Sequence, residues 1–119
     1  MKERMIKLIK LTDSEKRIMG IIWKSAPIKA GDIVEEHSKL YTSAYTTVLK
    51  IVTILERKGF ISYKTVGRNH LYFPTVTEKD YKNYLVDQLL LKYFDNSPKV
   101  FLTYLLTVFD FSKDLSCNK

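Results

Sequence analysis

The hydrophobic repeat of this chain changes period at Gly59. Before it, in TSAYTTVLKIVTILERKG, Ala44, Val48, Ile51, Val52 and Leu55 fall on one side of a helix at 100° per residue. After it, FISYKTV and HLYFPT alternate with period two around Gly67-Arg68-Asn69. A helix that gives way to two short β-branched and aromatic runs around a Gly and Asn turn predicts a helix followed by a hairpin. Thr42 is the expected N-cap and Gly59 the expected helix stop. Pro74 closes the second strand, where its missing N–H costs least.

Two further helices are expected upstream. In LTDSEKRIMGIIWKS, Thr12 and Glu15 have capping-box spacing, and Ile18, Met19, Ile22 and Trp23 form one apolar face with Trp23 as a core anchor. Ala26-Pro27 ends that helix, because the residue before a proline is pushed out of the helical region. AGDIVEEHSK then turns Ala30, Ile33 and Val34 inward and Glu35 and Glu36 outward, which leaves His37 at the surface at the helix end. Helix, helix, helix and a hairpin with Arg68 and Asn69 at its tip, flanked by Lys64 and His70, is the order of a winged helix-turn-helix.

From Glu78 the composition changes. TEKDYKNYLVDQLLLKYF opens on a Thr77/Asp80 capping pair, and Asp95-Asn96-Ser97-Pro98 separates it from a second apolar segment, VFLTYLLTVF. These two helices carry more hydrophobic surface than one short appendage can hide, which predicts burial against the same segment of a second subunit. The expected interface residues are Tyr84, Leu85, Leu89, Phe101, Leu102, Leu105, Leu106 and Phe109. The chain is thus expected to be mainly α with a small β-hairpin. Residues 1–77 form the winged helix-turn-helix DNA-binding domain, and residues 78–119 a helical dimerisation region.

Charge divides the same way. The chain carries a formal +7, and all of the excess lies before Glu78, the remainder being neutral. Between Lys39 and Arg68, the cations Lys39, Lys50, Arg57, Lys58, Lys64 and Arg68 face Glu56 alone. A solvated Lys-rich face that binds nothing would show the same composition. The helix before Gly59 argues for more: its outer side offers Ser43, Thr46, Lys50, Thr53 and Arg57, hydroxyls and cations with no acid before Glu56. Such groups bond phosphates and base edges, so double-stranded DNA is the expected partner.

Other classes find little support. Four dispersed glycines cannot form a phosphate-cradling loop, and neither His37 nor His70 has a Cys or His neighbour at ligand spacing. No enzyme, metal site or cofactor is therefore expected. Cys117 alone cannot make a disulfide, and charges scattered through MKERMIKLIK speak against a signal peptide. A cytoplasmic protein without membrane insertion follows. Two rival readings are a protein-interaction module built on a winged helix and a nonspecific DNA binder.

LTDSEKRIMGIIWKSAPIKAGDIVEE, YTTVLKIVTILERKGFI and VGRNHLYFPTVTEKDY together resemble the successive signatures of the penicillinase repressor family, over roughly residues 10–82. The resemblance implies a homodimeric repressor on an inverted-repeat operator, released when a membrane sensor peptidase triggers its cleavage. Carried onto matching positions, it implies DNA contact by Ser43, Thr46, Thr47 and Lys50, and by Arg68 in the wing. Arg57, Lys64 and Asn69 complete the expected DNA-binding set. The Asn-Phe pair cut in staphylococcal relatives has no counterpart in Leu102-Thr103-Tyr104-Leu105.

Overall fold

The computed structural model describes residues 10–112. The readings of residues 1–9 and of Cys117 lie outside these. The elements in order are α1 (Asp13–Ser25), β1 (Ile28–Lys29), α2 (Ala30–Ser38), α3 (Tyr45–Arg57), β2 (Ile61–Val66), β3 (Asn69–Pro74), α4 (Glu78–Tyr93) and α5 (Pro98–Val108). Of the described residues, those up to Tyr81 form one compact unit and those from Lys82 a second. The expected winged helix-turn-helix fold is the one observed.

Thr12 and Glu15 form the expected capping box. The Glu15 N–H donates to Thr12 Oγ1 at 3.2 Å, and the Thr12 N–H donates to Glu15 Oε1 at 3.0 Å. Glu15 Oε2 also accepts from Lys58 Nζ at 2.8 Å, 43 residues away, which ties the start of α1 to the end of α3. Burial pushes the Glu15 carboxyl upward, but the bonds from Lys58 and Thr12 outweigh it and hold the group below its ordinary value of 4.5.

Ile18, Met19 and Ile22 of α1, Ile33 of α2, Val48, Val52 and Leu55 of α3, and Phe60 after it are buried together. Each such side chain contributes about 2 kcal/mol through the apolar area removed from water. Trp23 is half-buried, and its Nε1–H donates to the Val76 carbonyl at 2.9 Å. Tyr81, in the first turn of α4, packs edge-on against Phe60, and its hydroxyl accepts from the Leu11 N–H at 2.7 Å. The chain segments before α1 and after the hairpin are thereby fastened to the same core.

β2 and β3 pair antiparallel from Ile61↔Pro74 to Val66↔Asn69, leaving Gly67-Arg68 as a two-residue turn. Gly67 has φ +63 and Arg68 does not share the positive sign, which is the type II′ arrangement that matches strand twist. Asn69, expected in the turn, is the first residue of β3. The sheet also has a third strand absent from the sequence reading: β1 pairs with β3, so the order is β1-β3-β2.

Two sequence readings of the helices need correction. α3 begins at Tyr45 with Ala44 as its N-cap and no side-chain cap, so Thr42 does not cap it, and Ala44 is exposed rather than inward. His37 is buried, not superficial: the last turn of α2 folds its ring 5.2 Å from that of Tyr41. Burial, and secondarily the positive Arg17, lower its pKa below 6.5.

At the start of α4, still within the first unit, the Thr77 hydroxyl accepts from the Asp80 N–H at 3.0 Å, as the capping spacing predicted. Asp95 and Asn96 both take φ +54 in the link to α5, and Ser97 caps α5 by accepting from the Val100 N–H at 3.2 Å. Phe94 packs against Phe101 and Tyr104, with ring centroids 4.8 and 5.3 Å away.

Two outcomes follow for stability. Because the folded Glu15 pKa is depressed, its contribution is present above 4.5 and is lost as pH falls through the folded value. Lys58→Met is therefore expected to cost about 2 kcal/mol by urea denaturation near neutral pH, with the deficit shrinking near pH 3. Gly67→Ala places a Cβ on a left-handed backbone and is expected to cost about 1 kcal/mol in the same assay.

Candidate nucleic-acid interface

The start of α3 differs chemically from that of α1. The Thr12 hydroxyl and two acidic residues, Asp13 and Glu15, occupy the cap and first turn of α1, whereas α3 has an alanine cap and no acid in its first turn. The first N–H groups of a helix have no partner within it, and they carry the positive end of its dipole. At α3 neither a side-chain cap nor an acid of its own first turn offsets them.

Val48, Val52 and Leu55 turn α3 toward the core, and the helical angle then centres Thr46, Lys50, Thr53 and Arg57 on the opposite side. All four are exposed, as is Thr47 on the flank. The Thr53 hydroxyl donates back to the Leu49 carbonyl at 3.1 Å, so its proton is engaged within the helix. Lys50 and Arg57 enter no ion pair among the described residues, unlike Lys16 with Asp13 on α1 or Lys39 with Glu36 beside α2. The face is positive and its cations are unneutralised.

The structure sorts the expected contact residues into three places. Thr46, Thr47 and Lys50 occupy the first half of α3, and Ser43 lies exposed just before it rather than on the helix. Arg57 is the last residue of α3, eleven positions and about 16 Å along the axis from Thr46. Arg68 and Asn69 stand at the wing tip, while Lys64 lies farther down β2 opposite Leu71.

A cleft of about 360 Å³ joins the wing tip to the start of α3, lined in part by Lys29, Tyr45, Arg68, Asn69, His70 and Tyr72, with Asp32 as its carboxylate. Tyr45, 53% exposed, and Lys29 are the residues here that sequence reasoning passed over. Tyr45 resembles a core aromatic when only periodicity is read, and Lys29 belongs to a strand of two residues that leaves no repeat to detect. His70 is on the wing as expected, stacked on Tyr63 at 4.1 Å with its Nδ1 3.4 Å from Thr65 Oγ1.

The expected interface residues of the second unit are also accessible. Leu89, Leu102, Leu106 and Phe109 are exposed, and Tyr84, Leu85, Phe101 and Leu105 are half-buried. α5 buries none of its residues: Val100, Leu102, Tyr104, Leu106 and Val108 are between 41% and 59% exposed. An apolar trough of about 670 Å³ lies among Leu89, Tyr93, Phe94, Val100, Phe101 and Tyr104. No cluster of potential metal ligands and no helix long and apolar enough to cross a membrane occur among the described residues.

Comparison with known proteins agrees with this arrangement. The solution structure of the DNA-binding domain of the repressor BlaI matches with TM-score 0.57 and 31% identity, covering 65% of this chain and 94% of that one. A second solution structure, of monomeric Bacillus licheniformis BlaI in complex with the blaP half-operator, matches with TM-score 0.56 and 31% identity over 63% and 92% of the two chains. Among curated relatives, the penicillinase repressor of Bacillus licheniformis is 31% identical over 77 residues, and the methicillin resistance regulatory protein MecI of Staphylococcus aureus strain N315 is 30% identical over 76. The matched stretches cover 65% and 64% of this chain, and 60% and 62% of those relatives. The family model for the penicillinase repressor matches residues 11–115, nearly the whole chain, and so the chain belongs to the penicillinase repressor family, a family of repressors rather than enzymes.

Proposed function

We propose that this protein is a cytoplasmic, homodimeric transcriptional repressor that binds an inverted-repeat operator in double-stranded DNA. The observation that carries the reading is the outer face of α3, where an uncapped helix start and the unpaired cations Lys50 and Arg57 face outward together. In this reading Thr46, Thr47 and Lys50 enter the major groove, with hydroxyls and an ammonium able to reach base edges and phosphates. Ser43 and Tyr45 contact the backbone at the helix start. Arg68 and Asn69 follow the adjoining strand from the wing, with Lys64 and Arg57 adding charge at the margins.

The second half of the proposal concerns α4 and α5. A helix that leaves every side chain accessible while presenting Leu, Val, Phe and Tyr loses most of its driving force for folding unless a partner covers it. A second copy of the same surface suits a symmetric interface, and two copies place two α3 helices on two half-sites. The structure of monomeric BlaI on a half-operator supports the DNA half of the reading, one copy to one half-site, through a relative's complex.

Gel-shift binding to the DNA upstream of the protein's own gene, and selection from a random duplex library, test the first half. Enrichment of a symmetric motif is expected; enrichment of none would leave nonspecific binding, and no retention at low salt would favour a protein partner. Lys50→Ala is expected to weaken binding about tenfold and to make the slope of log K against log salt shallower by about one unit. For the second half, Leu106→Asp puts a charge on a side chain that is 59% exposed in the single chain, so the fold should persist. Sedimentation should show this variant as a monomer and the parent as a dimer, and a variant that stays dimeric places the interface elsewhere.

A further inference from the structure

A groove of about 260 Å³ runs between α1 and the end of α2, and none of its lining residues is among those assigned above to DNA. Gly20, Ile21 and Leu40 give it an apolar strip, and a Cβ built on Gly20 would meet nothing within 4 Å. Arg17 lies beside it, its guanidinium 4.2 Å from the centroid of the Tyr41 ring. Lys24 is two turns farther along α1, about 10 Å away along the axis. The one carboxylate among the lining residues, Glu36, is bonded to Lys39 at 2.9 Å, and neither Arg17 nor Lys24 enters an ion pair among the described residues.

The second observation is His37. Its side chain lines the groove, is 4% exposed and makes no hydrogen bond among the described residues. No side-chain nitrogen or oxygen fully sealed from solvent lacks a partner among the described residues, so the ring nitrogens of His37 keep an opening, and this groove is the cleft that His37 lines. Through that opening a ligand oxygen can accept the ring N–H in place of water, in a site with little room for other partners.

We propose that this groove binds a small carboxylate with a compact apolar body, its oxygens between Arg17 and the His37 N–H and its body on Gly20, Ile21 and Leu40. The apolar strip argues against a bare inorganic anion. A volume of about 260 Å³, just under the range of drug-sized pockets, limits the ligand to about ten non-hydrogen atoms. Leu40 and Tyr41 also begin the link into α3, so the ligand would sit where that link leaves α2. Binding in this groove does not depend on the DNA reading.

The test is a titration of the full chain with sodium benzoate, against sodium chloride at matched ionic strength, with NMR signals of Gly20 and the His37 ring observed. Saturable shifts with a midpoint of about 1 mM are expected for a ligand of this size. Acetate lacks the apolar body and benzyl alcohol lacks the charge, and each should bind at least about tenfold more weakly. Gly20→Leu should fill the groove, keep the dispersed spectrum of the folded chain and abolish saturation; Arg17→Gln should weaken benzoate at least about fivefold. Linear shifts up to about 50 mM benzoate, equal binding of acetate, or unchanged saturation in folded Gly20→Leu would each overturn the proposal.

Discussion

One carboxylate fixes the geometry on which the rest depends. Glu15 completes the cap of α1 and, through Lys58, holds the end of α3 against the start of α1. Coulombic attraction in this half-dry site does not average over many orientations, because the Thr12 N–H already orients the carboxylate. The ion pair therefore sets where α3 emerges from the core, while Val48, Val52 and Leu55 set which face it turns outward. The positive face is a consequence of that rotation. The residues that make it contribute little to folding and are placed by residues that do.

Much of this was legible before any coordinates. The change of period at Gly59, the Thr12/Glu15 box and the Gly67 turn are local signals, each with a short-range physical cause, and each gave the element that forms. What escaped reading depends on contacts distant in sequence. β1 is too short to show a repeat and exists because β3 offers it a partner. The burial of His37 follows from Tyr41 folding back and from Arg17 on another helix, neither visible from the amphipathic pattern of α2. Thr42 looked like the cap because hydroxyls commonly serve there; the chain enters the helix two residues later, through an alanine. For the DNA face, the residue types and the helix were readable, but the company of Tyr45, Lys29 and the wing tip around one cleft required the fold.

The two units use apolar residues in opposite ways. In the first, Ile18, Met19, Ile22, Ile33, Val48, Val52 and Leu55 are almost wholly enclosed, and the outer side of α3 carries hydroxyls and cations. In the second, α5 keeps its apolar side chains accessible, and the clearest internal packing is Phe94 against Phe101 and Tyr104. On the proposed reading, the first unit is a finished core and the second one half of an interface.

The alanine that begins α3 has a thermodynamic meaning of its own. A Ser, Thr, Asp or Asn at that position would stabilise an ordinary helix by about 1 kcal/mol. It would also place an oxygen where the helix otherwise attracts anions, and for Asp a full negative charge. Ala44 leaves the first turn of α3 weaker in isolation and more receptive to a phosphate than a well-capped helix. On the proposed reading, DNA itself becomes the missing cap, so ordering of that turn and engagement of the operator are coupled parts of one equilibrium.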